Sequence, residues 1–228
     1  MGVVMENYNL VTLENILKNE EINAYITKGN ENLGVIGYTE HGFAHAKRSS
    51  NYASYILRCL QYDDRTCELA AIAGYMHDIG NVVNRVDHAQ SGALMAFQIL
   101  NRLGMSPVEV ALIVAAIGNH DEGTAAAVNP IAAALILSDK GDVRRTRVRD
   151  KETVNADIHD RVNYAVERAS TEVDAENKTA TLNITIDTKI CPVMEYFEIF
   201  MTRMVLCRQA AQYLGLQFEL IINDTRLL

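Results

Sequence analysis

The chain has 228 residues, of which 49% are hydrophobic, and its formal net charge is −8 at pH 7. This length predicts one domain, or one domain with a small appendage, and the acidic balance argues against a broad nucleic-acid-binding surface. No apolar run approaches the roughly 20 residues of a membrane helix, and no basic-then-apolar signal segment is present. The four cysteines form no CxxC pair, so we expect a cytoplasmic protein with reduced, buried thiols.

The first predicted elements are helices. Short helical patterns occupy residues 7–28, and the Gly and Asn residues at 29–34 predict a loop. A long helix is predicted next, which begins at Thr39, a possible N-cap, or at the residues just after it, and ends at about Gln61. The following helix, about Arg65 to Met76, is apolar and Ala-rich and ends at His77-Asp78.

Three more helices are predicted before residue 150. The first begins near Asp87, a plausible cap, and ends at Leu103. The second begins at the capping sequence Ser106-Pro107 and ends near Gly118. After a small-residue loop at 123–129, an apolar helix at about 131–143 carries Asp139 in its later part.

Beyond residue 150 the pattern changes to mixed helix and strand. A helix at about 159–168 precedes an alternating strand at 181–187, which pairs with 172–174 through a turn. A long helix at about 192–214 and a strand at 217–222 follow. We therefore predict a mainly α fold, with a helical bundle at 1–150 and a small α+β element at 151–228.

Histidines and aspartates recur at the ends or first turns of the predicted helices. They are His45, His77, Asp78, His88, His120 and Asp139. Because neighbouring helices of an antiparallel bundle meet end to end, these side chains can converge on one point. Nitrogen and oxygen donors of this kind suit Fe, Mn, Co, Zn or Ni better than Ca. A divalent cation would also satisfy buried groups that are otherwise costly.

The order His45, His77-Asp78, Asp139 resembles the H…HD…D signature of the HD-domain metal-dependent phosphohydrolases. His88 and His120 match two extra histidines of the binuclear branch of that superfamily, which includes the HD-GYP proteins. The resemblance covers roughly residues 39–147 and implies a helical HD domain.

The resemblance also implies a ligand set and a reaction. His45, His77, Asp78 and Asp139 would hold one metal ion, and Asp78 would bridge to a second ion held by His88 and His120. Two divalent or trivalent transition-metal ions are expected, Fe or Mn foremost, with Zn, Ni, Co or Mg as alternatives. A metal-bridging hydroxide would cleave a phosphomonoester or phosphodiester of a nucleotide or a related phosphorylated metabolite.

Two departures from the HD-GYP pattern concern the substrate. Asn81 stands where that branch usually has a phosphate-contacting Lys, and no Gly-Tyr-Pro follows His120. The second departure counts against a cyclic di-GMP phosphodiesterase. Lys140, next to Asp139, could replace the missing lysine, so we predict it as a catalytic and substrate-binding residue beside the bridging Asp78.

Basic residues near the predicted ligands are candidate phosphate contacts. Lys140, Arg144, Arg147 and Lys151 would form one stripe on a continuing helix. Lys140 and Arg144 are the favoured contacts, with Lys47, Arg48 and His41 added near His45. The alternative is a solvated helix surface with Asp142 and Asp150 as partners, and His41 could equally be a surface histidine. His159 is predicted to be a solvated helix residue outside the site.

Two other functions use the same residues. One is a di-iron oxygenase with this ligand set, and the other is a non-catalytic nucleotide-binding HD module, which the occupation of all six ligand positions disfavours. We expect small phosphorylated molecules as partners, and we expect binding neither to a membrane nor to an extended nucleic acid. The C-terminal strands offer an edge for a homodimer, which a monomeric mass by light scattering would exclude.

Overall fold

The computed structural model describes residues 8–123 and 125–228, so residues 1–7 of the predicted bundle and Thr124 of the predicted loop lie outside it. The helices of the first part are α1 Leu13–Leu17, α2 Glu20–Val35, α3 Phe43–Cys59, α4 Asp64–Met76, α5 His88–Arg102, α6 Pro107–Gly118 and α7 Pro130–Lys140. Short 3₁₀ turns occupy Ile79–Val82, Arg145–Arg147 and Lys151–Asn155. Within the described ranges, no helix combines the length and the apolar character needed to cross a membrane.

The last part of the chain forms a small sheet and a long helix. Helix α8, Ile158–Ala165, leads directly into strand β1, Val166–Asp174, and helix α9 spans Val193–Tyr213. The other strands are β2 Thr179–Ile186, β3 Gln217–Ile222 and β4 Thr225–Arg226. The sheet order is β1-β2-β3-β4, with β2 and β3 parallel and the other pairs antiparallel. The mainly α fold with a small α+β extension is therefore confirmed.

Several predicted boundaries differ from the structure, among them the end of the helix predicted at about 159–168, which lies at Ala165. Residues 29–34 belong to α2, because Ile22, Ile26, Gly29 and Leu33 form one buried helical stripe that outweighs the turn-forming residues. Helix α3 begins after Gly42, which is its N-cap and supplies no side-chain bond, so Thr39 is not the cap of this helix. Helix α7 ends at Lys140, three residues earlier than predicted.

One hydrophobic core extends through both parts of the chain. It contains Ile72 and Leu135 of the bundle together with Leu182 of the sheet and Phe200 of α9. The single core means that α9 is held against the helices that carry the predicted ligands. The domain boundary at residue 150 stays a prediction.

Gly80 lets the turn after Asp78 pass close to the start of α5. A Cβ placed there would overlap the carbonyl oxygen of His88 and lie 2.5 Å from the Gly92 nitrogen. Because both neighbours are backbone atoms, we expect Gly80→Ala to lower the free energy of unfolding by about 2–3 kcal/mol in urea denaturation. Gly118→Ala is the control, since its Cβ would make an ordinary 3.5 Å contact with Ala93. Equal stability of the two variants would contradict this account.

Candidate metal centre

The six predicted ligands come from the ends of five helices. His45 lies in the first turn of α3, His88 begins α5, and Asp139 lies in the last turn of α7. His77 caps the C-terminus of α4, and Asp78 precedes the 3₁₀ turn. His120 follows the C-cap of α6. All six side chains are buried, and the structure brings them together.

Four of these residues form what we call the first ligand set: His45, His77, Asp78 and Asp139. The Nε2 atoms of His45 and His77 are 3.2 Å apart. Asp139 Oδ1 lies 3.2 Å from His45 Nε2 and 3.6 Å from His77 Nε2. Asp78 Oδ2 lies 3.5 Å and 3.4 Å from the same two nitrogens.

The second ligand set consists of Asp78, His88 and His120. The Nε2 atoms of His88 and His120 are 3.2 Å apart, and Asp78 Oδ1 lies 3.5 Å from His88 Nε2. Asp78 therefore directs one carboxylate oxygen to each set. His77, His120 and Asp139 also have ligand atoms within 4.8 Å of one another, so the two sets form one continuous cluster.

The hydrogen bonds of the four histidines determine which nitrogen carries the proton. Each Nδ1–H donates to an oxygen: Asp142 Oδ2 for His45, Gly74 O for His77, Arg85 O for His88 and Ile117 O for His120. In the neutral rings this leaves the Nε2 lone pairs facing one another and the carboxylates. Asp78 Oδ2 is buried and has no hydrogen-bond partner among the residues that the structure describes.

Such a group of electron-pair donors is unfavourable unless a cation lies among them. Imidazoles oriented through Nδ1, together with carboxylates, are the usual ligands of transition metals. The residues therefore fit a metal site.

Burial and charge set the protonation states of the cluster. Burial lowers the pKa of His88 and, more strongly, that of His120, so both rings are neutral near pH 7. Burial acts to raise the pKa of Asp78, but the neighbouring histidines, His77 first, hold it well below its usual range. Burial acts to lower the pKa of His77, but Asp78 and Asp139 raise it overall, so a proton competes with a cation for its Nε2.

Asp142 supports the predicted ligand His45. The sequence analysis predicted Asp142 only as a partner of basic residues on a solvated helix surface. Its fully buried carboxylate accepts the Nδ1–H of His45 at 2.7 Å. It also lies 3.0 Å from Arg48 Nε and 2.7 Å from Arg144 Nε. Arg147 donates to the Asp142 carbonyl and to that of Glu40. The sequence signal that could have identified Asp142 as a supporting residue is its position three residues after the predicted ligand Asp139.

The predicted basic stripe is wrong as a continuous helical face, because α7 ends at Lys140 and an irregular segment follows. Arg48 and Arg144 are engaged by Asp142 instead. Lys140 Nζ is buried and lies 2.8 Å from Asp139 Oδ2 and 3.1 Å from Glu122 Oε2. Lys47 is exposed. Because it lies two residues after His45 on α3, its side chain faces away from that of His45. Their roles in substrate binding stay predictions.

A cavity of about 640 Å³ adjoins the cluster. It is lined by His41 and Arg85, by Asp121 and Glu122 next to His120, and by Arg147, His159 and Arg203. His41, a predicted substrate contact, packs its ring 5.5 Å from that of His45. His159 is exposed as predicted, but it lies at this cavity and not away from the site. Helices α8 and α9 thus supply part of the wall, which the sequence did not indicate.

A sequence model of the HD domain matches residues 42–165. The chain belongs to the HD-domain family. The match includes all six clustered ligands and extends through α8.

Two similar proteins come from Methanocaldococcus jannaschii and from an uncultured Thermotogales bacterium. An uncharacterized protein of Methanocaldococcus jannaschii is 27% identical over 105 residues, which cover 40% of this HD-domain chain and 40% of that protein. This chain therefore spans about two fifths of the length of the curated relative it matches. The crystal structure of a predicted HD superfamily hydrolase from an uncultured Thermotogales bacterium is 26% identical, with a TM-score of 0.43 over 54% of this chain and 67% of that chain.

Proposed function

We propose that this HD-domain protein is a metal-dependent phosphohydrolase that cleaves a phosphate ester of a small metabolite, a nucleotide or a similar compound. The observation that carries the proposal is the pair of ligand sets sharing the Asp78 carboxylate, one oxygen directed to each. This arrangement suits two neighbouring cations, and paired cations are typical of enzymes that hydrolyse phosphate esters. A cavity bordered by guanidinium groups adjoins the cluster.

The residues of the chain divide the work of such a reaction. When bound, two cations would supply a hydroxide nucleophile near neutral pH and neutralise phosphate oxygens. The Nδ1 hydrogen bonds orient the four imidazoles, so that their Nε2 atoms need no rearrangement to act as ligands. Asn81 donates to Asp78 Oδ1 at 2.8 Å and fixes the orientation of the bridging carboxylate.

The dimensions of the cavity favour a small substrate. A volume of about 640 Å³ lies within the range of pockets that enclose single metabolites. Residues of α8 and α9, such as His159 and Arg203, line it together with Arg85. We infer that the C-terminal part limits substrate size and contacts the portion of the substrate beyond the phosphate. A cytoplasmic location and a homodimer stay predictions.

The number of bound ions tests the proposal most directly. We expect about two equivalents of Fe or Mn in the wild-type protein and about one in His88→Ala, because the first ligand set remains complete. Plasma mass spectrometry of protein purified without added metal measures this content. His159→Ala is the matched control, since His159 is exposed and belongs to neither ligand set.

The same samples discriminate between functions. Release of phosphate from a panel of nucleotides and sugar phosphates by the two-metal form, and its loss in His88→Ala, would support the hydrolase. One equivalent in both proteins would indicate a mononuclear site. Oxygen uptake with a stable visible absorption would indicate the di-iron oxygenase. Absence of bound metal even after reconstitution would favour the non-catalytic nucleotide-binding module.

A further inference from the structure

Arg85 lies between the cluster and the cavity. It stands in the connection from the 3₁₀ turn to α5, its side chain is 20% exposed, and it lines the cavity. Its Nη1 lies 3.3 Å from His88 Nε2 and 3.4 Å from Asn81 Oδ1. The guanidinium carbon lies 5.5 Å from the centre of the Tyr38 ring.

Three other cations around the site are held by carboxylates at short distance, and a fourth, Arg147, lies 3.8 Å from Asp142 and donates to two backbone carbonyls. Arg144 lies 2.7 Å from Asp142, Arg203 lies 2.6 Å from Glu122, and Lys140 lies 2.8 Å from Asp139. Arg85 differs from them, since its nearest carboxylate oxygen among the described residues is Asp121 Oδ1 at 3.8 Å. Its positive charge is therefore only weakly compensated within the part of the chain that the structure describes.

The nitrogen that Arg85 faces is also a predicted metal ligand. The Arg85 carbonyl accepts the Nδ1–H of His88, so the Nε2 lone pair points towards the guanidinium. One lone pair serves either a hydrogen-bond donor or a metal ion. A cation held by His88 would replace the donor and would lie close to the guanidinium, and two neighbouring positive groups favour an anion between them.

We propose that Arg85 binds the phosphate group of the substrate directly beside the second ligand set, in the role that the sequence assigned to Lys140. The proposal rests on the phosphohydrolase function and names the residue that recognises its substrate class. A guanidinium can present two parallel N–H groups to two oxygens of one phosphate. The Tyr38 ring restricts its plane, and Asn81 accepts from it, so less side-chain freedom is lost on binding.

Inorganic phosphate is a suitable probe, because its binding can be measured without turnover. We would titrate phosphate into Mn-loaded wild-type protein, Arg85→Gln and Arg85→Lys by calorimetry, after measuring the metal content of each. Arg102→Gln is the matched control, since Arg102 ends α5 on the surface and pairs with Glu21. We expect Arg85→Gln to weaken phosphate binding roughly 10- to 100-fold at unchanged metal content, and Arg85→Lys to weaken it less.

Each other outcome overturns the proposal. Phosphate affinity equal to wild type in a metal-loaded Arg85→Gln protein would show that another group binds the phosphate. Loss of metal in Arg85→Gln and Arg85→Lys would make Arg85 a positioning residue for His88. An absence of phosphate binding to the wild type would remove the anion site. If the expected weakening is found but no phosphate ester is hydrolysed, the phosphate site at Arg85 stands and the hydrolase function fails.

Discussion

Asp78→Asn is expected to reduce metal content below two equivalents and phosphate-ester turnover at least about 1000-fold, equivalent to about 4 kcal/mol. The two carboxylate oxygens of Asp78 face different ligand sets. An asparagine keeps the shape but offers only one acceptor oxygen, and its NH₂ group would meet either the His45 and His77 nitrogens or the donating Asn81 amide. Metal analysis and steady-state kinetics measure the two losses.

The melting temperature separates this effect from misfolding. Metal that binds the folded state raises the melting temperature of the wild type, and we expect most of that rise to vanish in Asp78→Asn. Each protein is compared with its own metal-free form, so a change in the stability of the metal-free variant itself does not enter the comparison. Asp64→Asn, an exposed change at the start of α4, is the control. Two bound ions and near-normal turnover in Asp78→Asn would refute the bridging role.

Asp142→Ala is expected to reduce stability by about 3–5 kcal/mol, because its carboxylate is the buried counter-ion of several guanidinium groups. Arg48 and Arg144 lie within 3.0 Å of it, and Arg147 Nη1 lies 3.8 Å away. Burial acts to raise the pKa of Asp142, but the His45 hydrogen bond, followed by Arg147 and Arg144, holds this pKa below its usual range. Denaturant unfolding of the metal-free proteins measures the loss.

Asp142 also orients His45. We therefore expect Asp142→Ala to lower the metal affinity of the folded protein, which a loss of stability alone would not do. Without the acceptor for Nδ1–H, the tautomer and ring orientation of His45 are no longer defined, so we expect metal affinity to fall about 10- to 100-fold. Competition with a chelator, well below the melting temperature, measures that affinity. Asp142→Asn can still accept the His45 proton, so it should lose stability but retain more metal affinity. Unchanged affinity in Asp142→Ala would reduce Asp142 to a structural role.

Much of the helical architecture followed from local signals. Ser106 caps α6 and Pro107 occupies its first position, as the sequence predicts, and the alternating strand at 181–187 corresponds to β2. The prediction of a loop at 29–34 was wrong. Gly29 is buried against the backbone of Val82, and this contact joins residues that are distant in sequence. Local turn propensity carries no information about such a contact.

The order and spacing of His45, His77-Asp78, His88, His120 and Asp139 were sufficient to predict the cluster. Ligands at helix ends converge in an antiparallel bundle, and that rule depends on chain order alone. The tertiary structure decided which charges support the cluster and which face the cavity. Ion pairing depends on distances between elements far apart in sequence, so Asp142 engages Arg48 and Arg144, Lys140 is paired with Asp139, and Arg85 remains beside His88.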